Sequence, residues 1–390
     1  MEDYEILCRL GGGSFADVYK ALEKKTGEVV AIKVLKQKYT KWEDCLDLRE
    51  VKSLKKLHEE PICHQLGIKH IIKLKQIIFI KESGTLNLVF EFMEKDLFEL
   101  MKATSPKHLT EAQIRAIVYQ SLLGLSLMHK YGFFHRDMKP ENLLVVGETV
   151  KIADFGLARE IRSIPPYTEY VSTRYYRAPE CILKSTNYNS PVDIWALGCI
   201  MAEMYLHPQP LFFGNNEKEV LIKICSILGT PTHSTWAEGI QQAQKVSIKF
   251  PNMPGTNLAS VIPQASPEAI DLMYQMINWD PNKRATAHNL LQHPFFTNYS
   301  ISTTISNSFD NTSSSSKVKR YSNQSKKKES HHHKEEDINI ISTKTKNDSL
   351  NHFGVEENLN EEEDSGQKDE DKISNLLNDT EGFDKCKFLL

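Results

Sequence analysis

One stretch constrains this chain more than any other: residues 135–142 read His-Arg-Asp-Met-Lys-Pro-Glu-Asn, and Asp154-Phe155-Gly156 follows shortly afterwards. Phosphoryl transfer from ATP needs the groups gathered here. One carboxylate can position a hydroxyl and accept its proton, an ammonium can neutralise charge on the moving phosphoryl group, and an amide and a second carboxylate can hold Mg²⁺. In that order, the side chains that carry these groups are Asp137, Lys139, Asn142 and Asp154.

Composition argues against several other classes of function. Of the 390 residues, 40% are hydrophobic, which is enough for a sizeable core, and a net charge of −3 gives no field to attract nucleic acid or a membrane surface. The seven cysteines are scattered without a Cys-x-x-Cys pair, which argues against a disulfide framework or a zinc site and for a reducing compartment. No apolar run could span a bilayer, and no signal peptide opens the chain. We therefore expect a cytoplasmic protein that neither binds nucleic acid nor inserts into a membrane.

The chain changes character near residue 298. Before this point apolar periodicity alternates with turn signals, whereas residues 307–316 are nearly all Ser, Asn and Thr. Residues 317–328 are basic, which suits a nuclear import signal and a solvated run equally well, and residues 356–371 are acidic. Large apolar residues become rare, so this part cannot bury enough surface to offset its chain entropy. We predict a folded domain over residues 1–298 and a disordered, low-complexity tail over residues 299–390.

Within the domain, strand patterns dominate the first third and helical patterns the rest. The run 29–35 is typical of a buried strand, and residues 86–92 alternate as a strand does. Apolar residues recur at helical spacing over residues 48–57, 114–128 and 192–206. This order predicts an α+β architecture with a small β-rich N-lobe and a larger α-helical C-lobe. The expected bounds are residues 1–92 and residues 96–298.

The catalytic segments resemble those of eukaryotic protein kinases, and the resemblance extends from Tyr4 to Phe296. A segment reading Gly11-Gly12-Gly13-Ser14-Phe15-Ala16-Asp17-Val18 precedes Ala31-Ile32-Lys33, as the glycine-rich loop and the phosphate-binding lysine do in that family. Ala16 stands where the third glycine is expected, and we expect it to shift ATP affinity without abolishing binding. The resemblance implies the bilobal protein kinase fold, with ATP and Mg²⁺ as cofactors.

By resemblance, each part of a kinase site falls on a residue of this chain. Asp137 would be the catalytic base, with Lys139 beside it, and Lys33 would hold the phosphates while paired with Glu50. The metal ligands would be Asn142 and Asp154. The ATP-binding residues would include the hinge at Glu91 and Met93, Asp96 at the ribose, and Leu10, Gly11, Gly12, Gly13, Val18, Ala31, Lys33 and Leu144.

A switch is implied by Thr168-Glu169-Tyr170, which resembles a dual phosphorylation site. A phosphate carries about −1.5 to −2 charge at pH 7 and needs arginines to order the loop around it. The resemblance implies an upstream activating kinase and two sets of arginines. Those around phospho-Thr168 would be Arg49, Arg136 and Arg159, and those facing phospho-Tyr170 would be Arg174 and Arg177. The alternative is that all five are solvated surface residues.

Within the kinases, the chain is similar to the ciliary family of male germ cell-associated and ciliogenesis-associated kinases, in the CMGC group. The matching runs include residues 48–57, 132–142 and 165–174. Members restrain the length of cilia and flagella and influence intraflagellar transport, which implies a cytoplasmic and ciliary or flagellar location. In this group an arginine at the position of Arg177 shapes a pocket that favours Pro, or a small residue, after the phosphorylated Ser or Thr, because Pro brings no N–H that needs a partner.

Two structural anchors and several alternatives complete these expectations. Glu180 and Arg284 should form a buried ion pair, and Asp193 should brace the catalytic loop. Residues 58–69 lengthen the connection after the first long helix, either as a tolerated surface insertion or as an altered partner surface.

A pseudokinase scaffold would have lost a catalytic group, and none is lost. A MAP kinase in a phosphorelay suits Thr-Glu-Tyr but not the wider runs. We expect a monomer that acts on protein substrates.

Overall fold

The computed structural model describes residues 1–59, 61–104, 108–160, 174–297, 299 and 387–389. The first lobe contains β1 (Tyr4–Gly12), β2 (Ala16–Glu23), β3 (Val29–Lys38), α1 (Trp42–Leu46), α2 (Arg49–Leu57), β4 (Leu74–Ile80) and β5 (Thr85–Glu91). The second contains β6 (Lys95–Asp96), α3 (Leu97–Thr104), α4 (Glu111–Lys130), β7 (Phe133–Phe134), β8 (Leu143–Val146), β9 (Thr149–Ile152), β10 (Arg159–Glu160), α5 (Pro179–Ile182), α6 (Pro191–Leu206), α7 (Glu217–Leu228), α8 (His233–Lys245), α9 (Leu258–Val261), α10 (Pro267–Met276) and α11 (Ala287–Leu290). Near the end of the chain lies β11 (Lys387–Leu389).

The first lobe is built on an antiparallel sheet with strand order β1-β2-β3-β5-β4-β11. The strand β3 lies in the middle, and its β-branched residues Val30 and Ile32 are buried in a small core on one face. The helix α2 buries Val51, Leu54 and Leu57 in the main core. Glu50 precedes Val51 and lies one helical turn before Leu54, and its side chain is buried as well.

The second lobe is organised by two long helices, α4 and α6. A capping box fixes the start of α4, where the Thr110 side chain accepts from the Gln113 backbone and the Gln113 side chain accepts from the Thr110 backbone. All residues of α6 except its first and last are buried, which is typical of a helix at the centre of a domain. Two short sheets, β6-β8-β9 and β7-β10, complete this lobe. In chain order β6 precedes α4, and β7 to β10 lie between α4 and α6, where they flank residues 135–142 and 154–156.

The two-lobed α+β architecture is confirmed. The strands predicted over residues 29–35 and 86–92 are β3 and β5, and the three predicted helices lie in α2, α4 and α6. Within the region predicted as a tail, β11 pairs antiparallel with β4, and the rest of that region after residue 299 lies outside the described residues. The boundary near residue 298 stays a prediction. Across the part of the chain that the structure describes, no helix is long and apolar enough to cross a membrane.

Candidate active site

A set of ion pairs centred on Lys33 joins the two lobes. The Lys33 Nζ atom lies 2.8 Å from Glu50 Oε2, 3.0 Å from Glu50 Oε1 and 2.9 Å from Asp154 Oδ1. Asp154 has a backbone φ of 62°, in the left-handed region that Asp tolerates better than most residues, and the short helical turn Phe155–Leu157 that follows it packs against α2. The strand, the helix and the turn therefore hold the three side chains as one unit.

Burial and charge act in opposite directions on these groups. Burial alone would lower the pKa of Lys33, but the carboxylates of Glu50 and Asp154 outweigh it and hold that pKa above its ordinary value. Burial raises the pKa of Glu50, with partial relief from Lys33. Burial would also raise the pKa of Asp154, yet the charge of Lys33 brings it below its ordinary value. Lys33 is therefore cationic and Asp154 anionic at neutral pH, which suits a phosphate and a metal ion respectively.

The carboxylate of Asp137 is held on one side only. Its Oδ2 atom lies 3.0 Å from Lys139 Nζ and accepts a hydrogen bond from Asn142 Nδ2 at 3.1 Å, and the same Nδ2 atom donates to the Asp137 carbonyl at 2.7 Å. The Oδ1 atom is buried and accepts no hydrogen bond from the described residues. An unsatisfied buried acceptor costs about 1–3 kcal/mol. A donor from a bound molecule, such as a substrate hydroxyl, would remove this cost.

Asp193, at the start of α6, fixes the backbone of the catalytic loop. Its two carboxylate oxygens accept hydrogen bonds from the backbone N–H groups of His135 and Arg136, each at 2.8 Å. His129 Nε2 lies 2.9 Å from Asp193 Oδ2. Arg136 has a φ of 71°, an unfavourable backbone conformation that the bond to Asp193 stabilises. The predicted bracing role of Asp193 is confirmed by these contacts.

The glycine-rich turn between β1 and β2 leaves space above its backbone. A Cβ atom at Gly11 or Gly13 would meet no described atom within 4 Å, whereas a Cβ at Gly12 would lie 2.1 Å from Asp17 Oδ1. Asp17 is engaged by Arg9 at 2.8 Å, so a side chain at Gly12 would break this pair. Ala16 is buried at the start of β2, and its carbonyl accepts from the Gly13 backbone at 2.9 Å. The fold therefore accommodates the alanine that stands in place of the third glycine, at the start of β2.

The residues predicted around the adenine and ribose lie on adjoining strands. Val18 pairs with Lys33 across the sheet, Ala31 pairs with Phe90, and both Val18 and Ala31 are half-buried. In the second lobe, β6 pairs with β8 so that Asp96 lies opposite Leu144. The remaining predicted residues include Met93, which is buried, Leu10, which is 48% exposed, and Glu91, whose side chain contacts Lys151 Nζ at 2.6 Å and the Lys73 backbone at 2.8 Å.

Asn142 and Asp154 suit a metal ion that is shared with a nucleotide. No group of three or more His, Cys, Asp and Glu side chains could hold a metal by itself within the described ranges. Mg²⁺ in phosphotransferases is commonly held by one or two side chains together with substrate phosphates. The backbone links the segments that carry these two residues, because the Ala153 N–H donates to the Asn142 carbonyl at 2.9 Å. With Lys33 beside them, this donor set fits Mg²⁺-ATP.

For three of the five predicted phosphate-binding arginines, electrostatics indicate that the side chains influence one another. Burial lowers the pKa of Arg49, and the positive charges of Arg136 and Arg159 lower it further. Such a cluster of like charges favours an anion among them. The other two lie elsewhere: Arg174 Nη1 donates to the Asn215 carbonyl at 3.2 Å, and Arg177 pairs with Glu217. The predicted phosphorylation sites Thr168 and Tyr170 lie outside the described residues.

Several contacts of the site were not predicted from the sequence. Tyr176, directly before Arg177, donates to Glu203 Oε2 at 2.7 Å, and burial raises the pKa of Glu203 to about 7. The pairs Glu91–Lys151 and His129–Asp193 were also missed. Each pair joins residues from separate elements, and no local pattern marks them. The predicted pair of Glu180 and Arg284 is confirmed, with two bonds of 2.6 Å.

Comparison with known proteins gives this arrangement a context. The protein kinase domain family matches residues 4–296. The chain is 52% identical over 297 residues to serine/threonine-protein kinase MAK of Mus musculus, a match that covers 76% of this chain and 46% of that protein. Serine/threonine-protein kinase ICK of Mus musculus is 50% identical over 297 residues, covering 76% and 45%. Cyclin-dependent kinase F-3 of Oryza sativa subsp. japonica is 46% identical over 296 residues, covering 76% and 65%. The chain thus spans somewhat less than half the length of the first two relatives.

Proposed function

This chain belongs to the protein kinase family, and from that premise we propose that it transfers the γ-phosphate of ATP to serine and threonine residues of proteins. One observation carries the proposal: Lys33 contacts Glu50 and Asp154 at the same time. This arrangement supports the proposal, because phosphoryl transfer needs a cation for the phosphates beside an anion for the metal ion. A pseudokinase that served only as a scaffold would not need the ion pairs of Lys33, nor Asp137 and Asn142. We therefore favour an active kinase over a scaffold.

In the proposed mechanism, Mg²⁺-ATP supplies the phosphoryl group. The nucleotide and its metal ion would be held by the glycine-rich turn, Lys33, Asn142 and Asp154. Asp137 accepts the proton of the substrate hydroxyl at Oδ1, since Oδ2 is already held by Lys139 and Asn142. Lys139 Nζ provides positive charge beside the reacting oxygen. Asp193 keeps the loop that carries Asp137 in one conformation, so little reorganisation is needed on binding.

We also propose that the residue after the phosphorylated Ser or Thr is Pro or a small residue. Arg177 is buried and paired with Glu217, so it can form a fixed wall of the pocket for that residue. The test compares two peptides that differ only in Pro or Leu after the Ser. We expect kcat/KM with Mg²⁺ to be higher for the Ser-Pro peptide by about 10-fold or more. Equal values would contradict the proposed pocket, and the absence of transfer to either peptide would contradict the proposed enzyme.

A second proposal concerns control by phosphorylation of Thr168. The cluster of Arg49, Arg136 and Arg159 supports it, because three neighbouring guanidinium groups gain most from an added phosphate. We expect Thr168→Ala and Arg49→Gln each to lower kinase activity by about 10- to 100-fold. Because the two residues act through one contact, the double variant should be no worse than either single variant.

The control for this prediction is Ser163→Ala, which removes a hydroxyl from the same segment and should leave activity unchanged. Kinase activity of all four variants is measured on full chains phosphorylated in the same way by their expression host. Additive losses in the double variant would contradict a shared role.

Tyr170 would be phosphorylated with Thr168, and an upstream kinase would be the partner that adds one or both phosphates.

A role in regulating the length of cilia or flagella and intraflagellar transport is proposed from the resemblance to the ciliary kinases. The identities of about half to MAK and ICK over the kinase domain support it. The alternative, a MAP kinase in a phosphorelay, rests on Thr168-Glu169-Tyr170 alone. Imaging of the tagged full chain tests this part: exclusion from a cilium or flagellum would contradict the cellular role and leave the chemistry untouched.

A further inference from the structure

The outer edge of the sheet in the first lobe has no part in the proposed reaction. The strand β4 has β5 on one side, and on the other side β11 pairs with it antiparallel. β11 belongs to the same compact unit as the two lobes. The three facing pairs are Gln76 with Leu389, Ile77 with Phe388, and Ile78 with Lys387. A segment from far along the chain therefore completes the edge of this sheet.

The side chains of β4 are already engaged on both faces of the sheet. Ile77 is buried in the main core, and Ile78 is buried in the small core on the other face. Gln76 is buried as well, and its Oε1 atom accepts a hydrogen bond from the Tyr4 hydroxyl at 2.6 Å. What this part of β4 offers to a further segment is therefore the row of backbone N–H and C=O groups along its outer edge.

The same stretch of β4 lacks the features that usually protect an edge strand, which are charged side chains, Pro and bulges. A register irregularity and Lys75, which pairs with Glu28, both lie near the start of β4. From Gln76 to Ile80 the sequence is Gln-Ile-Ile-Phe-Ile, without a charged residue or a Pro. An apolar edge of this kind pairs readily with another chain if it is left open.

We propose that the outer edge of β4 is a strand-docking site, and that residues 387–389 of the same molecule occupy it as a removable cap. The recognition is main-chain pairing, by which extended peptides add to sheet edges. With the cap in place β11 is the outer strand, and it is short and carries Lys387, two features that protect an edge. Release of the cap would open the edge of β4 to an extended apolar segment of another chain.

The cap can be held only because it is tethered. A three-residue strand forms few hydrogen bonds, so as a free peptide it would bind weakly. More than 80 residues separate Lys387 from Tyr299, at the end of the domain. This connection makes the pairing intramolecular, and effective concentrations within one chain reach the order of millimolar for short flexible linkers and less for longer ones. Pairing of this strength is sufficient to cover the edge and weak enough to be displaced.

Hydrogen exchange of residues 74–80, read by mass spectrometry on the full chain, tests the proposal. Successive residues of a strand direct their N–H groups to opposite neighbours, so at least one amide of Gln76–Ile78 faces β11. The variant Phe388→Pro with Leu389→Pro removes at least one donor of β11 for the same reason. We expect the protected amide of β4 to exchange about tenfold faster or more in this variant. The matched control, Asn378→Pro with Asp379→Pro, places two prolines before the paired residues and should keep the wild-type rates.

Single prolines distinguish strand pairing from a general apolar contact. In an edge strand Pro is tolerated where the N–H points to solvent and not where it joins the ladder. Lys387→Pro and Leu389→Pro should therefore affect exchange in β4 alike, and Phe388→Pro should have the opposite outcome. Equal effects of all three substitutions would overturn main-chain pairing.

The remaining outcomes test the occupant and its role as a cap. Equal exchange of β4 in the wild type and the double-proline variant would overturn the proposal. Protection that grows with protein concentration would show pairing with a second copy and would also overturn it. In sedimentation velocity, the wild type should keep its size as concentration rises, whereas the double-proline variant should form larger species. A variant that stays as small as the wild type would contradict the capping role. Failure of the proposed kinase reaction would leave these results unaffected.

Discussion

Asp137→Asn is expected to lower the rate of phosphate transfer by about 10²- to 10⁴-fold, the usual contribution of a general base. The substitution keeps the shape of the side chain but removes the group that would accept the hydroxyl proton. An amide oxygen at the same place can still accept from Lys139 or Asn142, so the loop should keep its conformation. The free energy of unfolding and the affinity for ATP should therefore change little.

The measurement is the initial rate with saturating Mg²⁺-ATP, together with ATP titration and chemical denaturation of the same protein. Glu148→Gln is the control, because it removes one negative charge from the turn between β8 and β9, away from the reacting groups. It should keep the wild-type rate. A rate for Asp137→Asn within threefold of the wild type would rule out Asp137 as the base, by the scale of that contribution.

Arg284→Leu is expected to destabilise the folded state by about 3–5 kcal/mol, the usual cost of breaking a buried ion pair by removing one partner. The Arg284 side chain is fully buried and forms two 2.6 Å bonds with Glu180. It also donates to three backbone carbonyls, those of Asn278, Pro191 and Trp279. The leucine would leave a buried carboxylate and these carbonyls without their donor.

Chemical denaturation of the full chain provides the measurement, and a surface pair provides the control. Lys56 and Glu59 form an ion pair of 3.3 Å in which both side chains are more than half exposed. Lys56→Met should therefore cost at most about 1 kcal/mol. If Arg284→Leu cost no more than Lys56→Met, the Glu180–Arg284 pair would not be the anchor described above.

The parts of the fold that the sequence predicted are those with a strong local pattern. The apolar run of β3 and the helical stripes of α2, α4 and α6 each bury a face, and that burial leaves a periodic signal. The two-residue strands β7 and β10 leave none, because two residues define no period. They pair only because the catalytic loop and the segment after Phe155–Leu157 are brought side by side.

The candidate site divides in the same way. Lys33, Glu50, Asp137 and Asp154 could be found because the chemistry fixes both the residue type and its place in a motif. The partners that position them could not be found so directly. His129 is an ordinary residue near the end of α4 until the fold sets it against Asp193. Likewise, the insertion at residues 58–69 gave no sign that Gly67 would sit on α4, since that contact depends on how two distant elements pack.

The central claim, that the assembled groups around Lys33 and Asp137 form a working kinase site, is tested most directly by phosphate transfer itself. The full chain, purified from a eukaryotic host, is incubated with ATP and a Ser-Pro peptide, and the product is mapped by mass spectrometry. We predict phosphoserine that forms with Mg²⁺, disappears with a chelator and is lost in Asp137→Asn. A folded chain that binds ATP but forms no phosphoserine, or equal product from Asp137→Asn, would contradict the claim.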